Sequence, residues 1–196
     1  MCSAHISLEE DAPPGDAAGR ETVGLRDKIM TTWLENQLGA LGIALGDSMD
    51  EAFDEACAVG DSAPAAMILI HENPDTRIEA LARYLELSHS GTVRLVDRLV
   101  EAGWVAREAC EDKRAVVLVL TKSGAKVAER LLDGRRKSLA KALHGISGAD
   151  RKVLERLVPH MLSNLVPDKT VADHVCRYCD TKACDREGCP IDVPSD

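Results

Sequence analysis

Residues 87–124 carry the strongest local signal in the chain and read LSHSGTVRLVDRLVEAGWVAREACEDKRAVVLVLTKSG. Ser88 can cap a helix, because a serine hydroxyl accepts an unsatisfied backbone N–H of the first turn. Valine-rich and leucine-rich strands are predicted at Trp104–Arg107 and Arg114–Thr121, and the polar segment Glu108–Lys113 between them predicts a hairpin loop. The stretch therefore predicts a helix followed by a two-stranded hairpin, or wing.

A short helix before Ser88 completes a two-helix unit. Thr76-Arg77-Ile78-Glu79 matches a capping box, in which the threonine hydroxyl accepts a backbone N–H and the glutamate reaches back to the cap residue. An apolar stripe follows, formed by Ile78, Leu81, Ala82 and Leu85. Only Glu86-Leu87 separates this helix from the next. Two short helices joined by so brief a turn predict a helix-turn-helix.

Further helical patterns flank this unit on both sides. They run from Leu25 to about Gly42 and over Ser48–Val59, Ala65–His71, Lys122–Leu143 and Ser147–Leu165. Gly42 and Gly46 predict a break between the first two helices, because glycine disfavours helix interiors. Thr121 can cap the long helix after the wing. The predicted fold class is therefore mainly α-helical with a small β-hairpin wing, a winged helix-turn-helix.

Composition divides the chain into three predicted parts. Residues 1–24 are rich in Ala, Gly, Pro and acidic residues and predict a flexible arm. Residues 25–165 are expected to form the winged-helix domain, and residues 166–196 a cysteine-rich tail. No apolar run is long enough to span a membrane, and the arm lacks the basic and apolar regions of a secretion signal. We therefore expect a cytoplasmic protein without a membrane partner.

The net charge of −9 is concentrated away from the helix-turn-helix. Residues 1–75 carry 3 basic and 15 acidic side chains, whereas residues 76–126 carry 9 basic and 7 acidic side chains. Salt screens charges beyond roughly 8–10 Å, so the acidic N-terminal part acts only locally. The overall sign therefore does not exclude a nucleic-acid partner for residues 76–126.

The predicted element order and several motifs together resemble the MarR family of winged-helix regulators, over about residues 25–165. The matching motifs are Leu87-Ser88, Arg94-Leu95-Val96-Asp97-Arg98-Leu99, Gly103-Trp104-Val105, Asp112-Lys113-Arg114 and Leu118-Val119-Leu120-Thr121-Lys122-Ser123-Gly124. The resemblance implies a sequence-specific DNA-binding transcriptional regulator, for which we favour a repressor. It also implies a homodimer that pairs through its N-terminal and C-terminal helices and reads a palindromic double-stranded operator.

One face of the helix that begins at Ser88 is predicted to contact DNA. Projection at 100° per residue turns Thr92 to the core, where its hydroxyl can bond the Ser88 carbonyl. The predicted DNA-contacting residues of this helix are His89, Ser90, Val93, Arg94 and Arg98. Arg94 is the candidate for base reading, because its planar fork matches guanine O6 and N7, while Val93 can meet a thymine methyl. Arg98 is either a phosphate contact or the partner of Asp97.

The wing supplies the other predicted DNA contacts. The MarR resemblance implies that Arg114 enters the minor groove, that Asp112 orients it, and that Lys113 neutralises phosphate. The family places an apolar residue and then Thr or Ser before the helix arginine, whereas this chain has Thr92 and then Val93. The family's base contacts at that position therefore do not carry over.

Four of the seven cysteines lie within fourteen residues, at Cys176, Cys179, Cys184 and Cys189. Their spacing equals that of a zinc knuckle, and four thiolates suit a closed tetrahedral Zn²⁺ site. Cys189-Pro190 also resembles the Cys-Pro that ends ferredoxin motifs, so an iron–sulfur cluster is the alternative. Disulfides or unbound thiols are a third reading, which a reducing cytosol disfavours.

Two regulatory hypotheses follow from these motifs. In the first, the state of the four-cysteine metal or redox site changes DNA binding. In the second, a small aromatic acid binds between the first helix and Ala65–His71, and the zinc tail is purely structural. An enzyme is not expected, because the sequence has no phosphate loop or nucleophile motif, and a four-cysteine site leaves zinc no open position for water.

Overall fold

The computed structural model describes residues 19–109, 116–184, 189 and 191, with side chains from Thr32 onward. Their elements in chain order are α1 Gly19–Ala56, α2 Ala63–Glu72, α3 Ile78–Tyr84, α4 His89–Glu101, β1 Val105–Ala109, β2 Val116–Leu120, α5 Lys122–Ala142, α6 Gly148–Leu165, α7 Lys169–Val175 and a 3₁₀ turn at Cys176–Tyr178. The predicted class, mainly helical with a two-stranded wing, is confirmed. Contacts separate residues 1–44 from residues 45–196, and the second unit holds the helix-turn-helix.

The prediction of two N-terminal helices with a break at Gly42 and Gly46 is wrong. Helix α1 begins at Gly19, ahead of Leu25, and continues through both glycines to Ala56. A glycine costs only about 1 kcal/mol in a helix, and good helix formers surround these two. Ser48 lies inside α1, and its hydroxyl donates to the Ser138 hydroxyl of α5 at 3.1 Å.

Helix α2 lies at the centre of the core. Every residue from Ala63 to Ile70 is buried, so the helix has no solvent face over these two turns. Its surroundings include the fully buried side chains of Leu81, Leu95, Leu99, Leu118 and Leu131. Complete burial of one such side chain stabilises the fold by roughly 1.5–3 kcal/mol, so this cluster holds the helix-turn-helix and wing together.

The helix-turn-helix consists of α3 and α4, and its two caps differ. The Ser88 hydroxyl accepts the Gly91 N–H at 3.1 Å, which confirms the predicted cap of α4. The predicted capping box at Thr76 is wrong, because Arg77 occupies the cap position without a side-chain bond. The Thr76 hydroxyl instead donates to the Asn73 carbonyl at 2.6 Å. That bond closes the preceding turn, which competes with a helix cap for the same side chain.

The wing is anchored at its base. Strands β1 and β2 pair antiparallel, with Val105 opposite Leu120 and Ala109 opposite Val116. The Leu118 N–H also donates to the Thr76 carbonyl at 2.8 Å, which ties β2 to the segment before α3. Thr121 caps α5 as predicted, by accepting the Gly124 N–H at 3.0 Å. The base of the hairpin is therefore fixed to both neighbouring helices.

The tail beyond Val166 folds against the helical domain. Helix α7 lies beside α3, and the 3₁₀ turn lies beside α2. Val166, Ala172 and Ile191 form a small buried cluster, with Cys176 and Cys189 packed against it. Among the described residues, no helix has the length and apolarity needed to cross a membrane.

Candidate functional site

One face of α4 is polar and exposed, while the opposite face is buried. His89, Ser90, Arg94 and Arg98 are exposed, and Val93 is partly exposed. The buried face is formed by Thr92, Leu95, Val96 and Leu99. The Thr92 hydroxyl donates to the Ser88 carbonyl at 3.0 Å, as the sequence predicted. The structure therefore presents together, on one helix surface, the five residues that the sequence selected there.

Asp97 links this helix to the wing. Its Oδ1 accepts a hydrogen bond from Nη2 of Arg107 on β1 at 2.7 Å, so of the two alternatives for Arg98 the pairing with Asp97 is wrong, and the phosphate contact stays a prediction. The Arg98 guanidinium instead approaches Gly60, where an added Cβ would lie 2.9 Å from its Nη1. Both side chains of the Asp97–Arg107 pair are partly exposed, so its contribution to stability is small, about 0–1 kcal/mol. The pair therefore links the wing to α4 without adding much stability.

The tip of the wing lies outside the described residues. Asp112, Lys113 and Arg114, which the sequence selected there, fall in the gap between Ala109 and Val116. Their roles stay predictions.

A second candidate site lies between α2 and the tail. The four clustered cysteines Cys176, Cys179, Cys184 and Cys189 all line one cavity of about 260 Å³. None of the cysteines that the structure describes forms a disulfide. Within the described part of the chain, no group of three or more His, Cys, Asp or Glu side chains has the arrangement of a formed metal site. The cavity thus gathers the predicted thiols without holding them at coordinating positions.

Cys176 and Cys179 influence each other's protonation. The pKa of Cys176 is raised, first by its hydrogen bond to Cys179, then by burial and by the charges of the other three cysteines. The pKa of Cys179 is lowered to about 6, because its thiolate accepts that hydrogen bond and lies near the Arg135 charge, although burial opposes the shift. A thiolate is the form that binds metals and reacts with oxidants.

Glu72 is a residue of this cavity that the sequence reasoning missed. Its side chain is only 2% exposed, and its Oε2 accepts hydrogen bonds from the Thr181 N–H at 3.0 Å and from the Thr181 hydroxyl. Its Oε1 is buried and accepts no hydrogen bond from the described residues, with His71 Nε2 3.7 Å away. No local pattern marks Glu72, because Thr181 lies 109 residues further along the chain.

Two other helices carry unpaired apolar surface. On α1, the exposed apolar side chains are Trp33, Leu34, Leu38, Leu41 and Ile43. Within the described part of the chain, α6 buries none of its residues, and its exposed apolar side chains are Val153, Leu157, Val158, Met161 and Leu165. Four of these recur every fourth residue and so form one stripe.

Comparison with known proteins agrees with this architecture. The model of the MarR family matches residues 65–116, from α2 into the wing. A MarR family protein from Bacillus stearothermophilus is 24% identical, with a TM-score of 0.60 over 70% of this chain and 96% of that one. The chain has the MarR fold.

Other solved structures give the same result. The YusO protein from Bacillus subtilis is 20% identical, with a TM-score of 0.60, and the match covers 69% of this chain and 96% of YusO. The transcriptional regulator Tm0710 from Thermotoga maritima is 19% identical, with a TM-score of 0.54 over 70% of this chain and 99% of that regulator. The MarR fold therefore accounts for most of the chain.

Proposed function

We propose that the protein is a sequence-specific DNA-binding transcriptional regulator. The observation that carries this proposal is the polar exposed face of α4, with Ser90 and Arg94 in its N-terminal half and its opposite face fixed in the core. The MarR fold of the chain and the regulators that share it support the proposal. In helix-turn-helix proteins the second helix enters the major groove with its N-terminal residues against the bases.

In this arrangement the residues of α4 make different contacts with DNA. Arg94 donates two hydrogen bonds to one guanine, His89 and Ser90 contact phosphate or base edges, and Val93 packs against a thymine methyl. The wing residues Asp112, Lys113 and Arg114 approach the adjacent minor groove and its phosphates. The Asp97–Arg107 pair supports this geometry, because it links the wing to α4, the recognition helix.

Selection from a random duplex library tests the DNA-binding proposal. We expect the full-length protein to enrich a palindromic duplex whose half-sites lie about one helical turn apart. The reason is that the recognition helices, α4 of each protomer, must enter successive major grooves. Enrichment of nothing above a denatured-protein control would contradict the proposal. Binding at several salt concentrations would show the phosphate contribution, since affinity falls as salt rises.

A palindromic site needs two recognition helices, one from each of two protomers. We propose that α1 and α6 pair with the same helices of a second copy of the chain. The apolar stripe of α6 supports this, because within the described part of the chain no residue of this 18-residue helix is fully buried, and the exposed stripe needs a partner to cover it. Homodimers bury such faces against the same face of a second copy.

Leu157→Asp is expected to convert the dimer to a monomer at micromolar concentration. The substitution places a carboxylate in the centre of the α6 stripe, where association would bury it without a partner. Light scattering after size-exclusion chromatography gives the mass. Ser163→Asp adds the same charge to α6 away from the stripe and should leave the dimer intact. A Leu157→Asp protein that stays dimeric would exclude α6 from the interface.

A second proposal is that the four-cysteine cavity binds a metal that modulates the regulator. The donor set fits Zn²⁺, because four thiols line the cavity and one, Cys179, has its pKa lowered to about 6. The buried Oε1 of Glu72, which accepts no hydrogen bond from the described residues, also favours a cationic occupant. Bound zinc would cross-link the segments of the tail and supply folding energy to them. An iron–sulfur cluster is the alternative occupant, and a redox response is possible with either.

Elemental analysis of protein purified without oxygen tests this second proposal. We expect about one zinc per protomer in a colourless protein, and none in the Cys179→Ser variant, because three thiolates no longer close the site. Cys57→Ala is the matched control, since Cys57 is buried in the core and lies outside the cavity. A brown protein that contains iron and sulfide would show that the site holds an iron–sulfur cluster in place of zinc. A protein with neither zinc nor iron would contradict the metal proposal.

A further inference from the structure

We propose that α7 transmits the state of the cysteine site to the helix-turn-helix through the ion pair between Asp173 and Arg83. The inference rests on the proposed function, because it names how the cysteine site regulates DNA binding. Asp173 and Arg83 are positioning residues in this mechanism, and neither is expected to contact DNA or metal.

The link to the helix-turn-helix is a buried carboxylate. Asp173 is 4% exposed, and its Oδ2 accepts a hydrogen bond from Nε of Arg83 on α3 at 2.7 Å. Lys169 of α7 lies near the other oxygen, with its Nζ 3.6 Å from Oδ1. A carboxylate removed from water depends on such partners, so the position of α7 and the position of α3 are coupled.

A second contact reaches the turn of the motif. Nδ1 of His174 lies 3.6 Å from Oε2 of Glu86, the residue between α3 and α4. Glu86 has a φ of 53°, a left-handed conformation that non-glycine residues adopt only when the surroundings hold them there. Helix α7 therefore contacts both α3 and the turn that sets the direction of α4.

The same part of α7 borders the cysteine cavity, and Asp173 is one of the residues that line it. Cys176 is the C-terminal cap residue of α7, and Cys176 and Cys189 pack against the cluster that contains Ala172. Thr181 lies in the loop between the second and third cysteines and is held by Glu72 of α2. A change in how the four sulfurs are bound must therefore move the C-terminal end of α7 or strain the loop.

Helix α7, seven residues long, therefore borders the cysteine cavity and also packs beside α3. When the cavity holds its ligand, α7 keeps Asp173 against Arg83 and so fixes α3 beside α4. When the cysteines lose their ligand, the Asp173 carboxylate loses its fixed position, and α3 gains freedom. The expected result is a lower affinity for DNA without unfolding of the core around Leu131.

Hydrogen exchange on the full-length protein tests the link without DNA. Cys179→Ser is expected to speed exchange of the α3 amides about tenfold, and Asp173→Asn to do the same. The α3 amides of the double variant should exchange no faster than those of either single variant, because both substitutions break the same connection between the cysteine site and α3. Arg83→Gln breaks the same ion pair from the α3 side and is an independent test of it. The Arg83 side chain is 55% exposed, so its loss leaves the core intact.

Asp133→Asn is the matched control, because it removes one charge from an aspartate whose ion-pair partners, Arg136 and Lys137, lie on the same helix α5. The same variants are then compared for affinity to the selected duplex, where we expect the same pattern of about tenfold, non-additive losses. Unchanged α3 amides in Cys179→Ser, or additive effects in the double variant, would overturn the inference. Failure to select any duplex would contradict only the proposed function, because the exchange measurement uses no DNA.

Discussion

Gly124→Ala is expected to lower the free energy of unfolding by about 3 kcal/mol, because its added methyl would make the tightest contact of any glycine substitution among the described residues. A Cβ built on Gly124 would lie 1.9 Å from the Trp104 carbonyl oxygen and 2.8 Å from the carbonyl carbon. These are backbone atoms, and they cannot rotate away as a flexible side chain would. The Trp104 carbonyl also accepts the Thr121 N–H at 2.9 Å, so it is fixed from both sides.

Urea denaturation followed by far-ultraviolet circular dichroism measures this loss. Gly148→Ala is the matched control, because among the described atoms nothing lies within 4 Å of a Cβ at that position. We expect the control to change the unfolding free energy by less than about 1 kcal/mol. Equal midpoints for the two variants would show that α5 does not pack against the start of β1 as described here.

Arg94→Glu is expected to weaken binding to the selected duplex by at least about 100-fold. A good bidentate contact to guanine is worth roughly 1–3 kcal/mol, and the new carboxylate would also face the phosphates. The Arg94 side chain is exposed, so the protein should keep its fold. Fluorescence anisotropy with labelled duplex at one fixed salt concentration measures the change.

Arg136→Glu separates this effect from net charge. It makes the same change of charge on α5, where Arg136 is exposed and pairs with Asp133. We expect it to alter the affinity by less than about threefold, because charges far from the phosphates are screened. If both variants weakened binding equally, the loss would reflect overall charge, and Arg94 would have no specific role.

Local signals predicted the helix-turn-helix well. Ser88 and Thr121 cap their helices, and Thr92 returns its hydroxyl to the Ser88 carbonyl, as the sequence indicated. Each of these bonds joins residues three or four apart, so local periodicity contains the needed information. The same reasoning placed Arg94 on the exposed face of α4, because the apolar stripe of that helix fixes its orientation.

Competition between local bonds caused the main errors. The Thr76 hydroxyl could cap α3 or close the turn at Asn73, and the sequence pattern does not separate these choices. Asp97 had Arg98 beside it in the sequence, but adjacent helix residues do not face each other, and Arg107 on the strand reaches it instead.

The packing of the tail could not be predicted from local pattern. Arg83 and Asp173 are 90 residues apart, and Glu72 and Thr181 are 109 residues apart. The cysteine spacing marked the four thiols, but it carried no information on which helix would cover them. Only the folded chain brings Glu72 and Arg83 of the helical domain to Thr181 and Asp173 of the tail.

The central claim is that α4 lies in the major groove with Arg94 against a guanine. The most direct test replaces single guanines of the selected duplex by 7-deazaguanine, which lacks only the N7 acceptor of the major-groove edge. We predict that one position per half-site costs the wild-type protein about tenfold in affinity and costs the Arg94→Ala protein nothing further. Equal losses for both proteins at every guanine, or no loss at any guanine, would contradict the claim.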